Sequence, residues 1–141
     1  MDYRRYQPRD LDQIVAICAA EGWPSFPENP GRAGRALAAP GVTTVVAAAD
    51  SRIIGFAQLL SDGEIQAYLA LIAVVPDHRR KGVAGQLLDL ALKEAGGLRI
   101  DLLTDAAGEF YAALRHRRLS GYRIYPPFEP ELDPGTDAKG G

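Results

Sequence analysis

Apolar and polar positions along this chain fall into short alternating blocks that read as strands, separated by stretches where apolar residues recur at helical spacing. Residues 2–6 read as a first short strand. Pro8-Arg9-Asp10-Leu11 then opens a helix that carries Leu11, Ile14, Val15 and Cys18 on one face and ends near Gly22. Trp23 to Gly31 holds three prolines and predicts a loop or broken turn, ahead of a shorter helix over residues 31–38. Val42–Ala49 and Arg52–Leu60 are β-rich on either side of Asp50-Ser51, a hairpin by pattern. A turn at Asp62-Gly63 leads to a long strand from Glu64 to Val75. The main helix covers residues 83–95, apolar at Val83, Leu87, Leu88, Ala91 and Leu92, and closes at Gly96-Gly97. A strand at Leu98–Leu103, a helix from Ala106 to about Arg115 and a last short strand at Tyr122–Tyr125 complete the pattern. The order β-α-α-β-β-β-α-β-α-β predicts an α/β class protein, with a mixed sheet and helices on both faces.

A chain of 141 residues is one domain's worth. The patterned part ends near residue 125. Residues 126–141 are rich in Pro, Gly and acidic side chains, and predict an extended or disordered tail. No apolar run is long enough to cross a bilayer, and the N-terminus lacks the apolar core of a signal peptide, so no membrane partner is expected. The single cysteine, Cys18, excludes an internal disulfide framework and suits a reducing, cytoplasmic location. On the apolar face of a helix it reads as a buried, inert thiol. One cysteine and two histidines make no metal site by spacing.

A net charge of −2 is too acidic for a general nucleic-acid binder. Positive charge nevertheless gathers at His78-Arg79-Arg80-Lys81 and again at Arg115-His116-Arg117-Arg118, while the tail is acidic. Two local basic clusters point to a small anionic ligand rather than a long polyanion; solvated surface is an equal reading of the second. The first cluster sits where a strand ends at Pro76 and a helix begins at about Gly82. A helix start exposes backbone N–H groups that have no intrahelical partner, and the positive end of the dipole adds to them. Arg79, Arg80 and Lys81 contribute charge there, while Gly82, Ala84 and Gly85 leave the backbone approachable, which together make a pyrophosphate seat. It is not a Walker loop, because no Lys-Ser/Thr pair follows the last glycine, and there is no G-x-G-x-x-G fingerprint.

Arg79-Arg80-Lys81-Gly82-Val83-Ala84, preceded by Ile72-Ala73-Val74-Val75-Pro76, resembles motif A of the GCN5-related N-acetyltransferases (GNAT), written [RQ]-x-x-G-x-[GA]. The element order is similar to that family's over most of residues 1–125. The resemblance implies acetyl-CoA as cosubstrate. It places the N–H groups of Arg80 through Gly85 on the pyrophosphate and the backbone groups of Ile72 and Val74 on the pantetheine arm, like an added strand. A break in the sheet near Leu71-Ile72-Ala73 would splay the two middle strands and admit the acyl group.

The chemistry implied is direct attack of a neutral primary amine, on a small molecule or peptide, at the thioester. It requires an oxyanion donor, for which the family uses a backbone N–H near Val74, and a proton for the departing thiolate. Phe110-Tyr111-Ala112-Ala113-Leu114 resembles the family's F-Y-x-x-L, which makes Tyr111 the acid; the plainer alternative is that Tyr111 only packs its helix. Where relatives commonly follow with Gly-Phe, this chain has Arg115-His116-Arg117-Arg118-Leu119-Ser120 before Gly121-Tyr122, and Thr104 stands where asparagine is often found on the cofactor side. Glu64, sharing a strand face with Gln66 and Tyr68 by alternation, is the candidate base through a water, against the plainer reading of a solvated hairpin carboxylate; His116 is a weaker candidate. Trp23 and Phe26 are expected to wall the acceptor site, with Glu21 or Glu28 drawing a cation; a core plug is the even alternative for Trp23. A homodimer is expected from the resemblance alone. A second function reading is a non-catalytic acyl-CoA-binding or sensor module, which keeps the phosphate loop but needs no acid at Tyr111.

Overall fold

The computed structural model of the protein describes residues 1–105 and 107–129, and among these residues five strands make one sheet in the order β1-β2-β3-β4-β5. β1 (Asp2–Arg5), β2 (Val42–Ala49), β3 (Arg52–Ser61) and β4 (Gln66–Val74) each run antiparallel to their sheet neighbours in this series, while β5 (Arg99–Asp101) runs parallel to β4. The change of direction follows from α4 (Val83–Ala95), which carries the chain back across the sheet before β5 begins. The tight turn between β2 and β3 places both Asp50 and Ser51 at positive φ (50° and 66°), the backbone twist that a two-residue hairpin needs.

Alternation divides the side chains into two cores. Val45, Ala47, Ala57 and Leu59 face Leu87 and Ala91 of α4. Val46 and Phe56 face the other way, against Ile14, Ile17 and Cys18 of α1 (Leu11–Glu21) and Leu37 of α3 (Pro30–Leu37). Helices therefore cover both faces of a mixed sheet, as the pattern predicted. Gly22 ends α1 in the left-handed region at φ 80°, and the Trp23 N–H returns to the Cys18 carbonyl at 2.9 Å.

A short 3-10 turn over Pro8–Asp10 precedes α1 and buries Asp10, which is 2% exposed. Its carboxylate accepts from both terminal nitrogens of Arg4 at 2.8 and 2.9 Å and from the Gln7 N–H at 2.8 Å. Burial pushes the Asp10 pKa up, but the Arg4 and Gln7 hydrogen bonds and the Arg4 charge outweigh it, and the net shift is downward.

Four details differ from expectation. The proline-rich segment contains one helical turn, α2 (Ser25–Glu28), between Pro24 and Asn29. The late helix, α5, spans only Gly108–Ala112, and β5 is three residues long. Glu64 is not on a strand: the Asp62 carboxylate accepts from the N–H groups of Glu64, Ile65 and Gln66, which holds the turn one step longer, so β4 starts at Gln66. Tyr122–Tyr125 forms no strand; nothing among the described residues pairs with it, and Tyr122, Ile124 and Tyr125 stay exposed. Most of the expected tail, residues 130–141, lies outside the described residues. Among those described, no helix is long and apolar enough to cross a membrane.

Candidate active site

β4 and β5 pair over only three positions, Gln66 with Arg99, Ala67 with Ile100 and Tyr68 with Asp101. Beyond Tyr68 no strand among the described residues lies beside the β4 edge, which leaves an open slot there. The divergence coincides with a bulge: Leu69 pairs with Leu59 and Leu71 with Gln58, leaving Ala70 as an extra residue. The side chains record it, since Ala67 and Leu69 point to the α4 core before the bulge and Ile72 and Val74 point there after it. The break expected at residues 71–73 thus begins one residue earlier.

The bulge also decides which backbone groups face the slot. The Val75 N–H donates to the Ile54 carbonyl at 2.8 Å, so Val75 and Ala73 turn their N–H and C=O groups toward β3. By the same alternation Ile72 and Val74 turn theirs toward the open side. One of these four groups is already engaged, because the Val74 carbonyl accepts from Arg79 Nε at 2.8 Å.

A 3-10 turn at Pro76–His78 links β4 to the basic loop. Arg80 at φ 60° and Gly82 at φ 80° both adopt the left-handed region, which curls the main chain so that successive amides can face one side. Gly82 is the N-cap of α4 and provides no side-chain cap, and its own carbonyl accepts the Gln86 N–H at 3.1 Å. The N–H groups of Val83, Ala84 and Gly85 are therefore the first-turn donors of a 13-residue helix with no partner within it. Val83 buries its side chain at 3% exposure and anchors the loop to the core, while Arg80 and Lys81 are exposed. A β-carbon built at Gly82 or Gly85 would meet nothing within 4 Å, so the concave side of the loop is open. An unpartnered set of amides, a helix N-terminus and two exposed cations fit a diphosphate.

Arg79 points elsewhere. Its Nη2 donates to Glu21 Oε1 at 2.6 Å while its Nε donates to the Val74 carbonyl, so its side chain is tied to the end of α1 and to β4, and the Glu21 carboxylate is engaged by it. Trp23 and Phe26 are half-buried against the α1 core, and Trp23, Pro24, Pro27 and Glu28 line an open concavity of about 370 Å³ with Ala19 and Gly22. Trp23 therefore packs on the core and also borders this concavity.

Tyr111 is half-buried against the α4 core, packed edge to face with Phe110 at 5.0 Å between ring centroids. Burial raises its pKa above the ordinary tyrosine value and keeps the phenol protonated at neutral pH. The Thr104 hydroxyl accepts the Ala107 N–H at 3.0 Å and so shapes the turn before α5. Glu64 lies exposed in the 62–65 turn, and exposed His116 contacts the Leu114 carbonyl through Nδ1 at 2.8 Å. Cys18 is buried with its thiol pushed up to about 11 by burial and the nearby Glu21 charge, as an inert core cysteine should be. The Ala70 bulge and the Arg79 contacts left no mark in the sequence, where Ala67–Val75 is one apolar run broken only by Tyr68.

A family profile described as an acetyltransferase (GNAT) domain matches residues 40–114, a little over half of the chain and the part from just before β2 to just after α5. No curated protein matches. Among solved structures, the aminoglycoside N-acetyltransferase AAC(6')-Iy, bound to a CoA-acetylneamine bisubstrate analogue, superposes with a TM-score of 0.72 at 23% identity, covering 90% of this chain and 97% of that one. Ribosomal-protein-alanine N-acetyltransferase from Brucella melitensis biovar Abortus 2308 gives a TM-score of 0.70 at 20% identity, over 89% of this chain and 99% of that one. The aminoglycoside 6'-N-acetyltransferase AAC(6')-IG from Acinetobacter haemolyticus gives 0.70 at 18% identity, over 94% and 100%. At these identities the structures speak for the fold. With the family profile spanning the bulged strand, the amide loop and α5, the chain belongs to the GCN5-related N-acetyltransferases, enzymes that use acetyl-CoA as cosubstrate.

Proposed function

We propose that this acetyltransferase moves the acetyl group of acetyl-CoA onto a primary amine of a small molecule or peptide by direct attack, with Tyr111 as the general acid. The observation that carries the reading is the Arg80–Gly85 loop, whose first-turn amides have no partner in α4 and whose glycines leave the approach clear. Arg80 and Lys81 add charge for the diphosphate, and the Ile72 N–H and C=O offer the pantetheine arm a strand-like edge. The Val74 N–H, turned to the same side, is the oxyanion donor.

In the reaction the amine lone pair forms the C–N bond, the C–S bond breaks, and the thiolate takes its proton from the Tyr111 hydroxyl. A free thiol has a pKa of roughly 8.5, and a phenol held above its usual value is protonated whenever the thiolate forms. The amine must lose a proton too. Glu64 reaches it only through solvent, because its carboxylate is exposed on the 62–65 turn. The acceptor side is the concavity lined by Trp23, Pro24 and Pro27, where Glu28 supplies negative charge for a cationic amine. That some structural neighbours act on aminoglycosides and another on a ribosomal protein keeps both acceptor classes in view.

The same reading has the protein act in the cytoplasm, in keeping with its one unpaired cysteine, and pair as a homodimer, in keeping with exposed Leu119, Tyr122, Ile124, Tyr125 and Phe128. The experiment that tests the function is calorimetric titration with acetyl-CoA, followed by an amine-acceptor screen that reads free CoA release. Binding with acceptor-dependent release is the expected result; no heat at millimolar acetyl-CoA would end the proposal.

A further inference from the structure

Arg79 spans three separate pieces of the molecule. Its Nε donates to the Val74 carbonyl, on the open side of β4, at 2.8 Å. Its Nη2 reaches Glu21, the last residue of α1, at 2.6 Å. Its own main chain ends the 3-10 turn at Pro76–His78 and begins the amide loop. Two residues beyond Glu21 stands Trp23, whose N–H is bonded back to Cys18 and whose ring packs on the α1 core and lines the acceptor-side concavity.

A single ion pair at this level of exposure (side chains 48% and 27% exposed) contributes little stability, so stability is a poor explanation for the arrangement. Geometry explains it better. A guanidinium has donors in a fixed planar fork, so engaging Glu21 with one nitrogen constrains where another meets Val74. Bonding the Val74 carbonyl closes a ring of residues 74–79 immediately before Arg80.

We propose that Arg79 is a positioning residue which, through Glu21, couples the loop carrying Trp23 to the amide loop that binds the donor. The inference rests on the Arg80–Gly85 amides being the CoA site, and gives Arg79 a role other than phosphate contact. Seating the diphosphate shifts Arg80 and with it Arg79; Glu21 carries the shift to the end of α1 and to Trp23. Linkage makes the coupling reciprocal, so an amine beside Trp23 changes CoA affinity by the same factor.

Trp23 is the only tryptophan in the chain, so its fluorescence reports this loop alone. The experiment is a CoA titration followed in parallel by calorimetry and by Trp23 emission, on the full chain and on Arg79→Ala, Glu21→Ala and Glu21→Gln. The wild type is expected to give the same midpoint by both readouts. In the two alanine variants the calorimetric Kd should move by less than about threefold, while the Trp23 response loses most of its amplitude. Glu21→Gln, which keeps an acceptor oxygen for Arg79, should retain it. Should Arg79→Ala fail to fold, Arg79→Gln carries the same expectation, because its amide is too short to hold both partners. A full Trp23 response in the alanine variants overturns the coupling, as does a wild type that binds CoA with no Trp23 response. A tenfold or greater loss of CoA affinity in Arg79→Ala also overturns it, by making Arg79 a phosphate ligand. Absence of CoA heat in the wild type is a different failure, and removes the donor-site reading together with this inference.

Discussion

Gly82 is the position where backbone strain meets the proposed donor site. It sits at φ 80° and ψ 6°, and a β-carbon there would touch nothing within 4 Å. Gly82→Ala therefore introduces one cost and no clash: a left-handed L-residue, about 1–2 kcal/mol. The variant has two ways to respond. If the loop keeps its shape, the native state bears the strain, and Tm falls by roughly 3–6 °C for a domain of this size. CoA affinity then stays within about threefold, because the amides have not moved. If the loop instead relaxes into the right-handed region, Tm is retained but the amides turn away from a common point. Misdirecting one charge-assisted donor costs about 1.5–3 kcal/mol, which is tenfold or more in Kd. Gly85→Ala is the partner experiment. Gly85 stands in the first turn of α4, has no positive φ and has open space where the β-carbon goes, so alanine stabilises the helix by about 0.5–1 kcal/mol. In the proposed donor site a methyl group there should nevertheless obstruct the diphosphate. Thermal unfolding and CoA calorimetry on both variants are sufficient. Gly85→Ala should gain stability while losing affinity, and Gly82→Ala should lose one or the other. A Gly82→Ala protein unchanged in both quantities would refute the loop geometry, and a Gly85→Ala protein with undiminished affinity would move the diphosphate off α4.

Tyr111→Phe should lower kcat about a hundredfold with CoA Kd nearly constant; because the acid works only while protonated and burial raises its pKa, its alkaline limb in kcat should lie above the ordinary tyrosine value near 10. Equal turnover by the phenylalanine variant would remove Tyr111 from the chemistry. The Asp10 carboxylate has its pKa lowered on folding, so its stabilisation is complete above the unfolded value of about 3.9 and is lost as pH falls through the folded value. Urea titrations between pH 5 and 2 should show a steeper loss in the wild type than in Asp10→Asn, and Asp10→Ala, which strands Arg4 and the Gln7 N–H, should cost about 3 kcal/mol. Cys18, with its thiol near pKa 11, has below about 0.1% thiolate at pH 7.5 and should resist iodoacetamide until the protein unfolds; rapid labelling of native protein would contradict its burial.

Much of the fold was legible because local rules and tertiary packing agree in it. Leu11, Ile14 and Cys18 lie at helical spacing and do form the inner face of α1, and Gly22 ends that helix as a left-handed cap. The Asp50-Ser51 hairpin and the basic loop ahead of Val83 sit where turn chemistry puts them. Legibility fails at the sheet's free end. Tyr122–Tyr125 has a strand composition, but a strand requires a neighbour, and no described segment offers one. Glu64 looked like part of β4 until the Asp62 carboxylate captured three successive amides and turned the chain away.

Local spacing, turn residues and the run from Arg79 to Gly85 were enough to specify the mixed sheet, the helices on its faces and a basic loop that opens a helix, because each depends on contacts within a few residues along the chain. Three matters depended on groups far apart in the chain. The register of β4 against β3 makes Ala70 the extra residue and aims Ile72 and Val74 at the slot. The packing of α5 against the α4 core raises the Tyr111 pKa. The approach of α1 to the start of the loop ties Arg79 to Glu21, 58 positions away. In each case, the geometry comes from closing contacts between distant segments, for which one-dimensional spacing has no term.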